Sequence, residues 1–497
     1  GNAGGGVVRI EASGVVTVNG SVTATGGKTA NSGQTSASLR DNAGAGGTVN
    51  IRCGRLAGSG TISANGGNGD NPESRNGLAG GGGRIAIRYD AALQTAADVS
   101  GLRITTAAGH YAKPNYSTTN VTADKDRGEA DIGTLWFSDT KLVDALLGKG
   151  LTGQICGVAD YATAGDLSFD YGHVRFIEEG VQVTVNGDLT FGGTDSRLEI
   201  GGAVATNRST YTDLWVGTEP VSLTVAGDLT LGGVSRLDVR AAEVASTTDY
   251  GAEVTVGGAM TVGSGCFVYA WSDIENGGSP QFSVGSLDVA NGGRFSADRR
   301  GYRGGYGNGS GFGSDRGQTG AGPGGGYYNV GGGYGGTGGS HKPTWPAGGG
   351  FDYGTAEEPY QAGSGGGALV TYGSKYPYVE GGAGGGLVSI VATGTVQVAG
   401  TISADGDHGK NGINKQGGGG SGGTVYIVCR RFFGGETAVL SAKGGDSQPN
   451  DSVATGAGGG GRIAIWCGEP KTADVGRGRI SSADEPLTPA NVKSKHA

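Results

Sequence analysis

Residues 181–193 read Val-Gln-Val-Thr-Val-Asn-Gly-Asp-Leu-Thr-Phe-Gly-Gly, and residues 221–233 read Val-Ser-Leu-Thr-Val-Ala-Gly-Asp-Leu-Thr-Leu-Gly-Gly. In both stretches apolar and small polar residues alternate with a period of two, which is typical of β-strands that bury one face. A Gly-containing corner separates the two strands of each stretch. Residues 254–262 and 282–289 continue the pattern. The middle of the chain is therefore predicted to consist of repeated strand–corner–strand units.

A second repeat occurs at both ends of the chain. A Gly run leads into a strand three times near the start and three times near the end. These strands contain Ile10, Ile51 and Ile87 in the first set and Ile390, Ile427 and Ile465 in the second. The octapeptide Gly-Gly-Gly-Gly-Arg-Ile-Ala-Ile stands at 80–87 and again at 458–465, which is 378 residues later. Within each set the isoleucines recur every 36–41 residues, and repetition at such an interval is the signature of a solenoid.

The fold predicted by these repeats is a parallel β-helix. Each coil stacks its strands on the equivalent strands of the next coil, and the apolar faces join one continuous core. Glycine suits the corners, where the chain needs a positive φ or a close approach to the adjacent coil. A series of β-sandwiches remains the alternative, because strands recur there at similar spacing. The expected class is all-β, with glycine-rich loops and very little helix; the best helical segment starts at Thr140 and lasts one or two turns.

The repeat pattern divides the chain into five segments. β-Solenoid coils are predicted for residues 1–91, 136–300 and 381–497, and the last of these repeats roughly residues 3–119. Residues 92–135 carry few strand signals and are predicted to form a spacer or loop. Residues 301–380 are rich in Gly and Tyr, and we expect packed loops with tyrosines filling the gaps rather than a flexible tract.

Composition and charge exclude several classes of protein. The 497-residue chain has 110 Gly residues but no Gly-X-Y period, which excludes collagen. The net charge is −8 and the basic residues are scattered, so no nucleic-acid partner is predicted. No apolar stretch approaches the length of a membrane span. The first residue is Gly1 rather than Met, which predicts a processed product or a fragment.

The cysteine pattern indicates neither a disulfide framework nor a zinc site. The chain has five cysteines and no Cys-x-x-Cys pair. They are Cys53, Cys156, Cys266, Cys429 and Cys467. Cys53 and Cys429 occupy equivalent places in Asn-Ile-Arg-Cys and Tyr-Ile-Val-Cys, which indicates inherited positions on a repeated scaffold. Buried or single thiols are the favoured interpretation, and one disulfide remains possible.

Several motifs together resemble a known group of proteins. They are Tyr353-Gly-Thr-Ala-Glu-Glu-Pro-Tyr-Gln-Ala-Gly-Ser-Gly-Gly-Gly, Gly381-Gly-Ala-Gly-Gly-Gly, Gly400-Thr-Ile-Ser-Ala, the octapeptide at 458–465, the strand Gly133-Thr-Leu-Trp-Phe-Ser-Asp-Thr and Val185-Asn-Gly-Asp-Leu-Thr. In this combination the chain resembles the large glycine-rich β-solenoid proteins of bacterial surfaces, often described as adhesin-like. The resemblance covers most of the chain. It implies a secreted or surface-displayed protein with a structural or adhesive role, and it brings no catalytic motif.

Parallel β-helices also include polysaccharide lyases and hydrolases, and residues 170–179 are the candidate catalytic segment. On a strand, His173 and Arg175 share one face, where they could take a proton from a uronic acid and neutralise its carboxylate. A hydrolase needs two carboxylates about 5–10 Å apart. Glu178 and Glu179 are adjacent and point in opposite directions, so they are not such a pair. A solvated outer strand face is the simpler interpretation, and an enzyme is the less favoured class.

Two further patterns suggest ligand binding. Asp405 and Asp407 form Asp-x-Asp, a fragment of a calcium-loop pattern whose later glutamate is missing. A solvated turn is the simpler interpretation, so calcium is possible and no other cofactor is expected. Aromatic side chains that could stack on sugar rings are Trp345, Tyr372, Tyr376 and Tyr378. These make a polysaccharide a possible partner, with packing inside the glycine-rich loops as the alternative.

The function favoured by the sequence is that of an extracellular or cell-surface β-solenoid with a structural or adhesive role. Self-association through the solenoid ends is expected, because an uncapped end exposes strand edges that can pair with another chain. Such association would build filaments or a surface layer. The alternatives are a polysaccharide-active β-helix enzyme and a carbohydrate-binding module without catalysis.

Overall fold

The computed structural model describes residues 2–28, 42–69, 79–110, 130–202, 218–244, 250–305, 319–328, 330–340, 349–368, 380–409, 411–412, 415–447, 455–468, 472–474 and 479–481. The chain forms two compact units. Unit 1 comprises Gly1–Tyr161, Ser168–Glu178 and Gly193–Leu198, and unit 2 comprises Ala162–Leu167, Glu179–Gly192 and Glu199–Ala497. About 41% of the described residues are in strands and 3% in helices, which confirms the all-β class.

The described residues form 34 strands and two short helical segments. The first strands are β1 (Val7–Glu11), β2 (Val15–Thr17), β3 (Ser21–Thr23), β4 (Thr48–Arg52), β5 (Arg55–Ala57), β6 (Thr61–Ser63), β7 (Arg84–Arg88), β8 (Arg103–Thr105), β9 (Thr134–Phe137), β10 (Leu151–Cys156), β11 (Asp160–Ala162), β12 (Leu167–Phe169) and β13 (His173–Phe176). The next are β14 (Gln182–Val185), β15 (Leu189–Phe191), β16 (Thr194–Ile200), β17 (Val221–Val225), β18 (Leu229–Leu231), β19 (Val234–Arg240), β20 (Tyr250–Val262), β21 (Phe267–Trp271), β22 (Ser279–Val289) and β23 (Arg294–Ser296). The last are β24 (Leu387–Ala392), β25 (Thr395–Val398), β26 (Thr401–Ser403), β27 (Asn411–Gly412), β28 (Lys415–Gln416), β29 (Thr424–Cys429), β30 (Arg431–Gly434), β31 (Val439–Ser441), β32 (Arg462–Cys467), β33 (Thr472–Asp474) and β34 (Arg479–Ser481). A 3₁₀ segment spans Ala97–Val99, and helix α1 spans Lys141–Leu146, where the sequence predicted one or two helical turns.

Unit 1 is a parallel β-solenoid. Strands β1, β4, β7, β9 and β10 pair in parallel and in order, while β3, β6 and β8 form a second parallel ladder that also joins β10. Register places Ile51 opposite both Ile10 and Ile87, so the isoleucines of the repeat stack in one column. Parallel pairing of successive coils rules out the β-sandwich alternative, whose sheets are antiparallel.

Residues predicted to form the spacer also contribute to these coils. Within 92–135, the described part contains β8 and the start of β9. Strand β8 pairs with β6 and β10, and Ile104 is fully buried between them. The segment therefore adds a short strand to the solenoid even though its sequence shows little alternation.

Unit 2 contains the two repeated stretches at 181–193 and 221–233. Strands β14 and β15 pair in parallel with β17 and β18, so that each residue lies opposite its equivalent in the repeat. The stacked apolar residues are buried: Val183 on Leu223, Val185 on Val225, Leu189 on Leu229 and Phe191 on Leu231. The ladder continues in order through β20, β22, β24, β29 and β32. Sequence repetition and spatial stacking therefore coincide.

Gly-Asp corners connect successive coils of unit 2. At each corner an Asp carboxylate accepts the backbone N–H of the next coil. The distances are 2.9 Å from Asp166 Oδ1 to Asp188 N, 2.8 Å from Asp188 Oδ1 to Asp228 N and 2.7 Å from Asp228 Oδ1 to Ala259 N. A Cβ added to Gly187, Gly227 or Gly258 would lie 2.0 Å from the carboxylate oxygen below it. Glycine therefore precedes the corner because the carboxylate of the neighbouring coil occupies that space.

The glycine runs form extended arms with a three-residue period. In the run 417–423, N–H groups donate in turn to three different neighbours. Gly418 and Ser421 bond to Gly367 and Ser364, Gly419 and Gly422 to Gly456 and Gly459, and Gly420 and Gly423 to Asp407 and Ala404. A period of three without hydrogen bonds inside the segment is that of a polyproline II helix. Each arm is thus held by the segments around it, whereas a β-strand is held by neighbours on two sides.

The repeated octapeptide carries the chain from such an arm into a strand. In the second copy, Gly458 and Gly461 donate to Gly445 and Ala442 before Arg462 begins β32. In the first copy, Gly80 and Gly83 donate in the same way to Gly67 and Ala64. None of these glycines lies in the left-handed φ region. Close approach, and not a special φ, explains three of the four glycines in the second copy, because a Cβ on Gly458, Gly459 or Gly461 would lie 1.9–2.1 Å from a backbone carbonyl oxygen.

The described part of the Gly/Tyr-rich segment is packed, as the sequence predicted. Tyr334 is fully buried, and its hydroxyl lies 2.7 Å from Thr424 Oγ1. The guanidinium of Arg462 lies 5.3 Å from the Tyr334 ring centroid and donates to Tyr353 O at 2.8 Å. Burial raises the pKa of Tyr334 to about 12. The tyrosines of this segment fill space beside the glycine arms and bind the octapeptide arginine.

Two neighbouring glycines, Gly460 and Gly461, test whether close backbone contact excludes a side chain from the arm before β32. Gly461→Ala is expected to destabilise the coil that holds β32 by about 1–3 kcal/mol, because the new methyl group meets a backbone carbonyl. Gly460→Ala is the matched control, since a Cβ there meets no atom within 4 Å. Hydrogen exchange of the β32 amides should accelerate at least fivefold in the first variant and not in the second. Equal exchange rates in both variants would contradict the argument.

Candidate functional site

Strand β13 carries the candidate catalytic residues of unit 1. Val174 and Phe176 are fully buried on one face, so His173 and Arg175 share the other, as the alternation predicted. Arg175 is only 5% exposed, and its Nη1 lies 2.9 Å from Asp131 Oδ2. Gln154 beside it donates to the carbonyl of Ile132 at 2.6 Å. The guanidinium is thus engaged in an ion pair, while His173 is half-buried next to it.

The two glutamates that follow β13 bind separate backbone segments. Glu178 Oε1 accepts the N–H of Gly157 at 2.5 Å. Glu179 Oε1 accepts the N–H and the hydroxyl of Thr218 at 2.9 and 2.8 Å. These bonds, the backbone N–H first, lower the pKa of Glu179. The two carboxylates therefore do not face a common point, which agrees with the expectation that they are not a hydrolase pair.

The candidate calcium ligands lie where two coils meet. Asp405 Oδ1 accepts the Ser441 hydroxyl at 2.5 Å and the Lys443 N–H at 2.7 Å, and Asp405 N donates to Asp298 Oδ1 at 2.8 Å. Asp407 Oδ1 lies 4.0 Å from an Arg299 nitrogen. Within the described ranges, no group of three or more His, Cys, Asp or Glu side chains could hold a metal ion. Asp405 acts here as a link between coils, like the aspartates of the Gly-Asp corners.

The aromatic residues proposed to bind sugar fall outside the described residues. These are Trp345, Tyr372, Tyr376 and Tyr378. Among the described tyrosines of the same segment, Tyr353 donates its hydroxyl to Ala362 O at 2.5 Å, and burial raises its pKa. Tyr327 is partly exposed and packs edge-to-face on Tyr328, with ring centroids 4.5 Å apart. The described tyrosines thus show packing roles.

A ladder of arginines and aromatic rings in unit 2 was not anticipated from the sequence. Strands β19 and β21 place Asp238 opposite Tyr269 and Arg240 opposite Trp271. Guanidinium groups lie close to the ring centroids. The distances are 4.2 Å from Arg240 to Trp271, 4.3 Å from Arg300 to Trp271, 3.9 Å from Arg300 to Tyr269 and 4.3 Å from Arg236 to Tyr269. These are favourable cation–π distances, and they join residues of successive coils.

Two fully buried carboxylates pair with two of the three arginines of this Arg–aromatic ladder. Asp238 accepts from Arg236 Nη2 at 2.7 Å and from Trp271 Nε1 at 2.8 Å. Glu199 accepts from Arg240 Nε and Nη2, both at 3.2 Å. Burial disfavours the charged guanidinium of Arg236, but the Asp238 carboxylate outweighs it and raises the pKa of Arg236. Since guanidinium groups lie 3.9–4.3 Å from both ring centroids, part of the ring surface on which a sugar could stack is already covered.

The sequence signal for the ladder is the alternation Arg236-Leu-Asp-Val-Arg240 beside Phe267-Val-Tyr-Ala-Trp271. In each strand the charged or aromatic residues occupy every second position, opposite to the buried aliphatic ones. The pattern shows that these residues share a face. It does not reveal which strands are neighbours, so the partners follow only from the register.

As for helices, none among the described residues is long and apolar enough to cross a bilayer.

Removing a carboxylate from the Arg–aromatic ladder should lower the free energy of unfolding more than removing one partner of an exposed ion pair. Glu199→Ala is expected to lower the free energy of unfolding by about 3–5 kcal/mol, because the Arg240 charge then loses its buried partner. Glu11→Ala is the control, since its partner Arg9 and Glu11 itself are largely exposed and the pair is screened by water. Thermal unfolding followed by circular dichroism should separate the two variants. Similar melting curves would show that the ladder does not contribute to stability.

Comparison with known proteins adds no identification. The chain matches no family model, no curated protein and no solved structure. Its assignment as a parallel β-solenoid therefore rests on strand pairing and register alone.

Proposed function

We propose that this chain is an extracellular or cell-surface β-solenoid with a structural or adhesive role, of the adhesin-like, glycine-rich type that its repeats resemble. The observation that carries the proposal is the use of the polar side chains. The charged side chains that could take part in catalysis or binding instead join one coil to the next. They are the corner aspartates, Asp405, and the Arg–aromatic ladder with Glu199. Such a distribution of polar groups supports a scaffold.

The geometry gives less support to a catalytic role. A general acid or base must come within hydrogen-bond reach of its substrate. Arg175 is buried against Asp131, and the Asp238 and Glu199 carboxylates have no exposed surface. Their hydrogen-bonding positions are taken by arginine and tryptophan donors of the same unit. In a scaffold these side chains function through the hydrogen bonds and ion pairs that they already make. In an enzyme those bonds would have to break before the side chains could reach a substrate.

Strand edges at both terminal coils support self-association as part of the proposal. Among the described strands, β1 pairs with β4 alone and β32 with β29 alone. Val8 and Ile10 of β1 are half-buried, whereas their register partners Val49 and Ile51 are fully buried. One long repeat later, β24 corresponds to β1, and β24 pairs with β22 along the edge that β1 leaves open. The open edge thus has a backbone that can pair with a further strand.

Assembly of the purified chain tests this proposal. We expect species larger than the monomer in multi-angle light scattering, growing with protein concentration, and chains of particles in electron micrographs. Val7 in β1 is 77% exposed, and Val7→Lys should reduce assembly because a charge at an edge strand opposes pairing. Val234→Lys is the matched control, since Val234 is also exposed, at 54%, but lies in β19. A strictly monomeric wild type at all concentrations would refute self-association.

Polysaccharide assays test the scaffold role against the two alternatives. The wild-type chain is expected to release no product from a panel of uronic-acid-containing and neutral polysaccharides. Product that forms with the wild type and not with His173→Ala would overturn the proposal in favour of a lyase-type enzyme. Saturable binding of one polysaccharide without product would instead identify a carbohydrate-binding module.

A further inference from the structure

Two cysteines of unit 2 face each other across neighbouring parallel strands. Cys429 ends β29 and Cys467 ends β32, and the two residues are register partners. Their sulfur atoms are 3.6 Å apart. Adjacent strands are about 4.8 Å apart, which lies within the Cα separations that disulfides span. Rotation of the two side chains is therefore enough to bring the sulfurs to bonding distance, without movement of the strands.

We propose that Cys429 and Cys467 form an oxidation site whose product is an intramolecular disulfide between β29 and β32. The oxidant is a disulfide, either a small molecule or a protein. The Cys467 thiolate attacks one sulfur of the oxidant and releases the first thiol, leaving a mixed disulfide on Cys467. Cys429 loses its proton and attacks the Cys467 sulfur, which releases the second thiol. Two protein thiols are oxidised and one disulfide is reduced to two thiols, so the step balances.

The surroundings of the two thiols assign this order of attack. Cys467 is partly exposed, whereas Cys429 is 1% exposed, so an external disulfide reaches Cys467 first. The hydrogen bond between the two thiols, together with the backbone N–H of Phe432, lowers the pKa of Cys467 to about 7. The same hydrogen bond, together with burial, raises the pKa of Cys429. The exposed partner is thus the readier nucleophile, since the thiolate is the reactive form.

The first copy of the repeat contains a natural control. Cys53 stands at the position of Cys429, and its N–H donates to Arg88 of the next coil. In that next coil, Tyr89 takes the position of Cys467 and hydrogen-bonds to Asp139. Cys53 therefore has the same place on the scaffold as Cys429 but faces a phenol. The dithiol exists only in the second copy.

The disulfide would fasten the last coil of its ladder. Strand β32 pairs with β29 and with no other described strand. Backbone ladder hydrogen bonds on one side alone hold such a strand less firmly than ladders on both sides, so it opens more often. A covalent bond at its end joins it to β29, whose other edge is already paired with β24. This goes beyond the proposed scaffold role, and it holds for the chain whether or not the chain associates with other copies.

Thiol counting and peptide mapping test the proposal. The reduced, folded full chain is treated with oxidised glutathione, then denatured and alkylated. We expect the number of alkylated thiols to fall from five to three. Trypsin should release the peptide Gln416–Arg430 linked to Ile463–Lys471. Hydrogen exchange of the β32 amides should slow in the oxidised chain and recover after reduction.

Serine variants identify the partners. Cys53→Ser should fall from four alkylated thiols to two, whereas Cys429→Ser and Cys467→Ser should form no disulfide within the chain. An unchanged count of five in the wild type would overturn the proposal. So would linked peptides that contain Cys53, Cys156 or Cys266, or an intramolecular disulfide that still forms in Cys429→Ser.

Discussion

In-register parallel stacking is the constraint on which the rest of this structure depends. Each coil offers its backbone N–H and C=O groups to the next, and an unpaired buried backbone group costs as much as a lost hydrogen bond. A strand can therefore follow its neighbour only if its inward positions match those of the segment it pairs with. The pairing of β14 with β17, residue for residue across the two repeated stretches, meets this condition. Repetition in the sequence is the consequence of repetition in the hydrogen-bond ladder.

The same constraint explains why glycine dominates between the strands. The arms that leave each coil have a period of three, and their N–H groups reach neighbours on several sides. Backbone must then approach backbone from several directions at once, which leaves no room for side chains. At Gly420, for example, a Cβ would lie 2.0 Å from the carbonyl oxygen of Ala383. High glycine content is thus a packing requirement of the described arms.

Much of the fold could be predicted from the sequence, because its repeats report the stacking directly. The class, the parallel coils and the column of Ile10, Ile51 and Ile87 follow from period and spacing, and the short helix lies where the best helical segment was predicted. The function of the glycine runs was only partly foreseen. The close approach was expected, but the three-residue period depends on which arms are neighbours, and that information is not local. The Arg–aromatic ladder escaped prediction for the same reason, since Arg300 reaches Tyr269 and Trp271 from a different coil.

The cysteine pair is a contact that the repeat register alone can predict. Aligning Thr424–Cys429 with Arg462–Cys467 places the two cysteines at the same position of successive coils. In a solenoid, equal position in successive repeats means spatial contact, so identical residues form columns. The corner aspartates form a column of this kind, which joins coils through carboxylate-to-amide hydrogen bonds. Cys429 and Cys467 form such a column with only two members. Because two thiols can be oxidised to a disulfide, the register that stacks the coils also places a site for a covalent cross-link between them.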